Sequence, residues 1–396
     1  MIGPTQPKNP DGRGNGRQNP DISRIMPAVP VLSPITGTSL AWAALVILAF
    51  FALLFAGAWA LPGKRVLGFS PPNEKPKYYK VNGMALWVAT HFVVIGGTIA
   101  LDWSLTAVIE NFWSLFVVAN VLALGWTWVL VSAGRRRLPP EAPQARTLRE
   151  RIAELWLGSE LNPMWLGVDL KVWAYQPSLI GMSLLHVSFA YAQWDATGTL
   201  TPQMIAYQVF WWIYMTTHYH WESGVLSMWD VIAEKFGFML VWGDLVLVPF
   251  FYSLGGWYLM RVTEPMPIPR LAAITAMFAL GLWIFRTANA QKDRFKRDPK
   301  ALIWGKPPEL LGGRLLVSGW WGIGRKLNYT GEIMVYSSFA LCSGTGSWVP
   351  YLLPLWLCTL LPHRAWRDEQ RCRAKYGELW DAYTKRAKFR MIPFVY

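Results

Sequence analysis

Cysteine is nearly absent: Cys342, Cys358 and Cys372 are the only three in 396 residues, and no two of them form a Cys-x-x-Cys pair. A disulfide scaffold and a thiolate metal site are therefore both poorly served, and free thiols are expected. Charge is also sparse, at 16% of residues against 53% apolar, and the 25 tryptophans are far more than one soluble core would use. Histidine occurs five times. The run His218-Tyr219-His220-Trp221-Glu222 invites a metal reading, but on a helix only His218 and Glu222 would share a face and no third ligand is suggested, so no metal is expected.

What the chain has instead is long apolar runs. Crossing hydrocarbon roughly 30 Å thick takes about 20 apolar residues in a helix. Such runs stand at 40–61, 83–101, 112–133 and 270–285, with weaker or Pro-interrupted ones at 172–192, 202–217 and 237–260 and a short pair at 329–343 and 347–361. The expectation is an all-α polytopic membrane bundle of about nine or ten spans, preceded by a flexible tail over 1–34 rich in Pro, Gly and Asn. The net charge of +14 could point to nucleic acid, but the basic residues sit between apolar runs. Loops 62–82, 134–151 and 286–314 are basic, whereas 102–111 and 193–201 contain no Lys or Arg. This alternation follows the positive-inside tendency and assigns 62–82, 134–171, 286–328 and the residues after 362 to the cytoplasm, with no nucleic-acid partner.

The two halves differ. Up to residue 134 the runs hold almost no ionisable groups, as expected of scaffold; beyond 158, Asp169, Lys171, His186, Glu222, Asp230, Asp244, Arg286, Arg325 and Glu332 lie in or near apolar segments. Charges at membrane depth are costly, so they are paired, wet or functional, and the site belongs to the second half. The residues after 362 predict a charged helix of about 20 residues ending near Pro393, with Arg364, Asp368 and Cys372 at four-residue spacing on one face.

Residues 286–383 collect groups suited to a phosphorylated aromatic cofactor. Lys292 and Lys296 stand one helical turn apart beside Arg294 and Arg297, and offer phosphate donors. A stretch rich in Gly and Trp, Ser318 to Arg325, precedes Asn328 and Tyr329; glycine admits close backbone approach, and Trp or Tyr can stack on a ring. Gly322-x-Gly324 is no dinucleotide fingerprint, since residue 327 is Leu and no βαβ unit surrounds it. The segments LLVSGWWGIGRKLNYTGE, HRAWRDEQRCRAKYGELWDAY and RMIP, with LPGKRVLG, YYKVNG, GSELNPMWLGVDLK and EKFGFMLVWGDLVLVPFFYSL upstream, resemble the C14/C7 sterol reductase family, which includes the membrane domain of the lamin B receptor. The match covers about residues 35–396, with the cofactor half at about 286–396. The resemblance implies NADPH held by Lys292, Lys296, Leu316, Trp321, Asn328, Tyr329, Arg364, Asp368, Cys372, Arg373, Lys375, Tyr376 and Tyr383.

The sequence departs from that family at Lys296, usually Arg, at Gln176, usually Arg, at Trp221-Glu222-Ser223, usually Trp-Asn-Glu, and at Phe394, usually Gly. The activity implied is reduction of a sterol carbon–carbon double bond by NADPH hydride and a proton from the protein, with a lean to the Δ14 bond from residues 236–240 and 243–245. Burial raises a carboxyl toward a proton-holding state, so Asp244 in its apolar run is the first candidate acid, with Glu222, Asp230 and Tyr252 behind it. The alternatives are Δ7 or Δ24 reduction, an S-adenosylmethionine-dependent membrane methyltransferase of the isoprenylcysteine type, and a non-enzymatic sterol-binding protein. The cluster from Lys292 to Arg297 argues against a cofactor that carries no phosphate.

Overall fold

The computed structural model describes residues 32–68, 70, 76–137 and 147–396; most of the tail expected over 1–34 lies outside them. The chain is an all-α polytopic membrane protein with three two-stranded ribbons. Helix α1 (Gly37–Ala60) starts at a capping box in which Thr36 and Ser39 satisfy each other's backbone N–H. Its 24 residues rise about 36 Å, and Leu45 and Leu53 lie on its exposed, lipid-facing side. The ribbon β1 (Lys64–Leu67) and β2 (Tyr78–Val81) leads to α2 (Gly83–Ala100), and Asn82 Nδ2 donates to the carbonyls of Gly57, Ala58 and Leu61, which closes the end of α1. The short α3 (Thr106–Glu110) precedes α4 (Phe112–Arg137), which ends on three arginines, and α5 (Leu148–Leu157) lies beyond it.

A ribbon of β3 (Met164–Trp165) and β4 (Val168–Asp169) delivers Asp169 as the N-cap of α6 (Leu170–Thr197). This helix is the centre of the bundle, with Ala174, Ile180 and Phe189 fully buried, and it packs on α1, α2, α3 and α7 (Pro202–His220). After α8 (Trp229–Ile232) comes the segment expected as one span over 237–260. It is one helical segment that changes type along its length: α9 (Phe238–Trp242) passes into a π-helical stretch (Gly243–Phe251) and then α10 (Leu254–Leu259). Pro249 inside that stretch has no N–H to give to a regular ladder, and Asp244 lies at its start.

Helix α11 (Ile268–Arg297) ends on a basic turn; the ribbon β5 (Leu310–Leu311) and β6 (Leu315–Leu316), the turn α12 (Trp320–Ile323), and α13 (Leu327–Cys342) follow. Among the described residues, five helical segments are long and apolar enough to cross a membrane: Gly37–Ala60, Gly83–Ala100, Phe112–Arg137, Phe238–Leu259 and Ile268–Arg297. Helices α6, α7, α13 and α14 (Leu352–Tyr376) occupy the other expected runs.

The expected separate charged helix after 362 is corrected by the structure. Helix α14 continues unbroken through Pro362 and ends at Gly377, whose φ of 55° takes the left-handed conformation glycine adopts at little cost; α15 (Glu378–Arg386) follows, so no helix reaches Pro393. One proline does not stop a helix whose neighbouring turns are held by packing, and Leu357, Leu361 and Ala365 are buried on either side of it.

Candidate functional site

The contact of α11 with α13 places the site. Gly281 and Gly331 meet back to back: a Cβ on Gly331 would stand 2.6 Å from the Gly281 carbonyl oxygen, and one on Gly281 would stand 2.9 Å from that of Gly331. Small residues permit this approach between helices in lipid, where close packing replaces the hydrophobic drive. One turn further along, Asn328 Nδ2 donates to Asn289 Oδ1 at 3.2 Å, and Asn289 Nδ2 donates to the Phe285 carbonyl at 2.9 Å. The Asn328 Oδ1 acceptor is buried without a partner.

Trp321 is buried with Leu316 and Ile303. Its indole N–H donates to the Ala288 carbonyl at 3.0 Å, and its own carbonyl accepts from Tyr383 Oη at 3.1 Å, so α11, α12 and α15 are tied together at one residue. Lys292 Nζ lies 4.5 Å from the centre of the Trp321 ring, a cation-π distance, and within electrostatic reach of Lys326 and Asp368. Lys326 in turn binds Asp368 and sits 5.9 Å from the Tyr329 ring centre. Burial alone would raise the Asp368 carboxyl, but Lys326 and Lys292 together hold it below its ordinary value. Cys372 packs against Val317, Trp380 and Tyr383, joined by Tyr376.

Lys292, Leu316, Trp321, Asn328, Tyr329, Asp368, Cys372 and Tyr383 therefore converge on one region, with Arg364 in electrostatic contact with Tyr329. Lys296 is exposed in the last turn of α11. Arg373 and Lys375 turn outward: Arg373 pairs with Asp381 at 3.3 Å, and Lys375 lies over the Tyr376 ring at 5.1 Å. Beside the Trp321 cluster, a cleft of about 420 Å³ opens among Ile303, Lys306, Glu309, Ser318, Gly319 and Arg386.

Deeper in the bundle, a second polar group lies beyond Tyr329 along the same face of α13. Tyr336 Oη donates to Tyr214 Oη at 3.2 Å, and the Tyr252 and Tyr336 rings are 5.6 Å apart at 81°. Glu332, one turn from both Asn328 and Tyr336, lies within electrostatic reach of Arg286 and Arg364. Arg286 donates to the Tyr214 carbonyl at 3.3 Å and leaves its Nε buried without a partner. Asp244 is buried beside Asp230 and Lys171, with no hydrogen-bond partner among the described residues. Sequence reasoning passed over Tyr214, Lys326, Glu332 and Tyr336 as candidates; the four-residue spacing of Asn328, Glu332 and Tyr336 on one helix was the available signal.

Glu222 is placed differently. Its carboxylate accepts from the Gly83 N–H at 3.1 and 2.8 Å, and from Gln176 Nε2 at 2.7 Å, at the start of α2. Burial pushes the carboxyl up and these bonds offset only part of the rise. Two departures from the family pattern, Gln176 and Glu222, are thus each other's partners: an uncharged amide meets a carboxylate. Among the described residues no group of three or more His, Cys, Asp and Glu could hold a metal ion, and all three cysteines are free.

The profile of the ergosterol biosynthesis ERG4/ERG24 family matches residues 27–396. This chain belongs to that family. Curated relatives agree over most of their length. A protein of Arabidopsis thaliana named Delta(14)-sterol reductase is 35% identical over 359 residues, covering 89% of this chain and 95% of the relative. A protein of the same name from Methylotuvimicrobium alcaliphilum is 36% identical over 344 residues, or 85% of this chain and 79% of the relative. The 7-dehydrocholesterol reductase of Xenopus laevis is 33% identical over 336 residues, or 80% and 70%. Membership in the ERG4/ERG24 family agrees with the membrane bundle described above.

Proposed function

We propose that this ERG4/ERG24 family member is a sterol reductase that uses NADPH to saturate a ring double bond, the Δ14 bond as in the names of its relatives, of a sterol held within the bilayer. The observation that carries the reading is the gathering of Lys292, Trp321, Asn328 and Asp368 from three helices and a turn into one region near the C-terminal end of α11.

The donor set suits a phosphorylated pyridine nucleotide. Lys292 offers an amine donor with no carboxylate in hydrogen-bond contact among the described residues, and Lys296 extends the basic face toward solvent. The unpartnered Asn328 Oδ1 is an acceptor for a carboxamide N–H, and a buried acceptor left unpaired is costly unless a ligand completes it. Trp321 and Tyr329 give flat faces for ring packing. NADPH, when bound, supplies the hydride.

The protein's share is to hold the sterol, exclude water and deliver a proton. Asp244 and Tyr252 are the donors proposed for the alkene: Asp244 is buried, and the partly buried Tyr252 adjoins the Tyr336–Tyr214 pair, through which a proton can be replaced. Glu222, with its three hydrogen bonds at the head of α2, is set up to fix that helix and is the weakest of the three candidates. A carbocation-like centre formed by protonation would be favoured by the aromatic walls around Trp211 and Phe339.

The test is direct. Purified protein is supplied with NADPH deuterated at the transferable position and with Δ14, Δ7 and Δ24 sterols, and the products are weighed by mass spectrometry. Gain of one deuterium and one solvent proton in the Δ14 substrate supports the proposal. Binding of NADPH with no sterol reduced would favour the sterol-binding alternative.

A further inference from the structure

Residues 229–234, between α7 and α9, are built as a rail for α14. Lys171 Nζ, on a side chain only 1% exposed, donates to the carbonyls of Asp230 at 2.7 Å, Val231 at 3.1 Å and Glu234 at 2.7 Å. A buried ammonium is expensive, and three carbonyl acceptors at the end of a short turn are what offset it. The lysine is itself placed by Asp169, which caps α6 and pairs with Lys77 at 3.1 Å. The segment so fixed meets three arginines of α14 at positions i, i+3 and i+7. Asp230 accepts from Arg364 Nη2 through both oxygens at 2.9 and 3.0 Å; Glu234 accepts from Arg367 at 3.1 Å; and the Arg371 guanidinium lies 4.4 Å from the Trp229 ring centre. Trp229 Nε1 also donates to Glu234 at 2.6 Å, which closes the segment on itself.

From this geometry we infer that Asp230 is a positioning residue for the cofactor site, acting through Arg364, with Lys171 fixing the segment that carries it. The inference rests on the proposed NADPH reading. A guanidinium has five donors in a rigid fork. Asp230 engages Nη2 alone, so Nε and Nη1 have no hydrogen-bond partner among the described residues and stay available to an anionic or amide group of a nucleotide. The rail also sets the rotation of α14. With the three arginines turned toward residues 229–234, Asp368 is turned toward Lys326 and Lys292.

The experiment compares Arg364→Met, Asp230→Asn, Asp230→Glu and the double variant Asp230→Asn/Arg364→Met, reading NADPH affinity, KM, kcat and thermal stability. Arg364→Met is expected to weaken NADPH at least tenfold. Asp230→Asn is expected to raise KM for NADPH severalfold, with the larger share of the loss in KM rather than kcat, and the double variant to bind no worse than Arg364→Met alone, because both act through one guanidinium. Asp230→Glu, which keeps the charge, should fall between, and it alone decides the matter if Asp230→Asn does not fold. Should Arg364→Met weaken NADPH while neither Asp230 variant does, or should the losses multiply in the double variant, the positioning role is overturned and the cofactor reading stands. If Arg364→Met leaves NADPH binding intact, the cofactor role of Arg364 and the inference fail together.

Discussion

Substituting Gly331 by alanine tests whether the site depends on the close approach of α11 and α13. The added Cβ would stand 2.6 Å from both the Gly281 oxygen and the Phe285 nitrogen, whereas ordinary contact begins near 3.4 Å, so relief needs a separation of about 0.8 Å (3.4 − 2.6). Both obstacles are backbone, so no side chain can swing aside. Overpacking of this kind costs about 1–3 kcal/mol. The functional cost is larger, because Lys292 is carried by α11 and Asn328 by α13, and a misplacement near 1 Å can cost about 100-fold in rate. We expect Gly331→Ala to lower kcat/KM for NADPH-dependent sterol reduction by about 10- to 100-fold and to lower the melting temperature. Gly125→Ala on α4, where a Cβ would meet nothing within 4 Å, is the control and should change neither. Wild-type kcat/KM and stability in Gly331→Ala would refute the packing argument.

Arg325 holds the C-terminal segment: it donates to Glu369 at 2.7 Å and to the carbonyls of Ala387 at 2.6 Å and Lys388 at 3.0 Å, while Arg390 also pairs with Glu369. Arg325→Met should cost at least about 2 kcal/mol and speed amide exchange across 378–396 by about 30-fold; unchanged exchange would contradict it. Burial acts to raise the Glu369 carboxyl, but Arg390 and Arg325 hold it below its ordinary value. The stability from this latch is therefore complete above the unfolded carboxylate's pKa of about 4.3 and is lost as pH falls through the lower folded value. C-terminal amide protection should collapse in acid and not on raising the pH, and the opposite trend would reject the assignment. Asp244→Asn should cut kcat by about 100-fold or more while NADPH affinity stays near wild type, and a normal kcat would pass the donor role to Tyr252.

The membrane bundle was legible because an apolar run of sufficient length has few alternatives, and the helices lie where the runs do. The nearness of Asn328, Tyr329 and Gly331 was legible through motif spacing, because all three sit on one helix whose order in the chain mirrors its order in space. What was hidden depends on partners distant in sequence. Gln176 meets Glu222 across 46 residues, and Arg364 meets Asp230 across 134, so neither pairing leaves a local pattern. The π-helical stretch around Asp244 and the passage of α14 through Pro362 are choices made by packing, where local preference alone predicted a weak or Pro-interrupted run and a break. The outward turn of Arg373 and Lys375 follows from the stop at Gly377, since α15 then folds back and Asp381 captures Arg373.

NADPH binding to the purified wild-type protein and to Lys292→Met, followed by tryptophan fluorescence and thermal shift beside S-adenosylmethionine, tests the central claim most directly. The account predicts that NADPH stabilises the wild-type protein and perturbs its tryptophan emission, that Lys292→Met weakens this at least tenfold, and that S-adenosylmethionine does neither. Stabilisation by S-adenosylmethionine with no response to NADPH would contradict it.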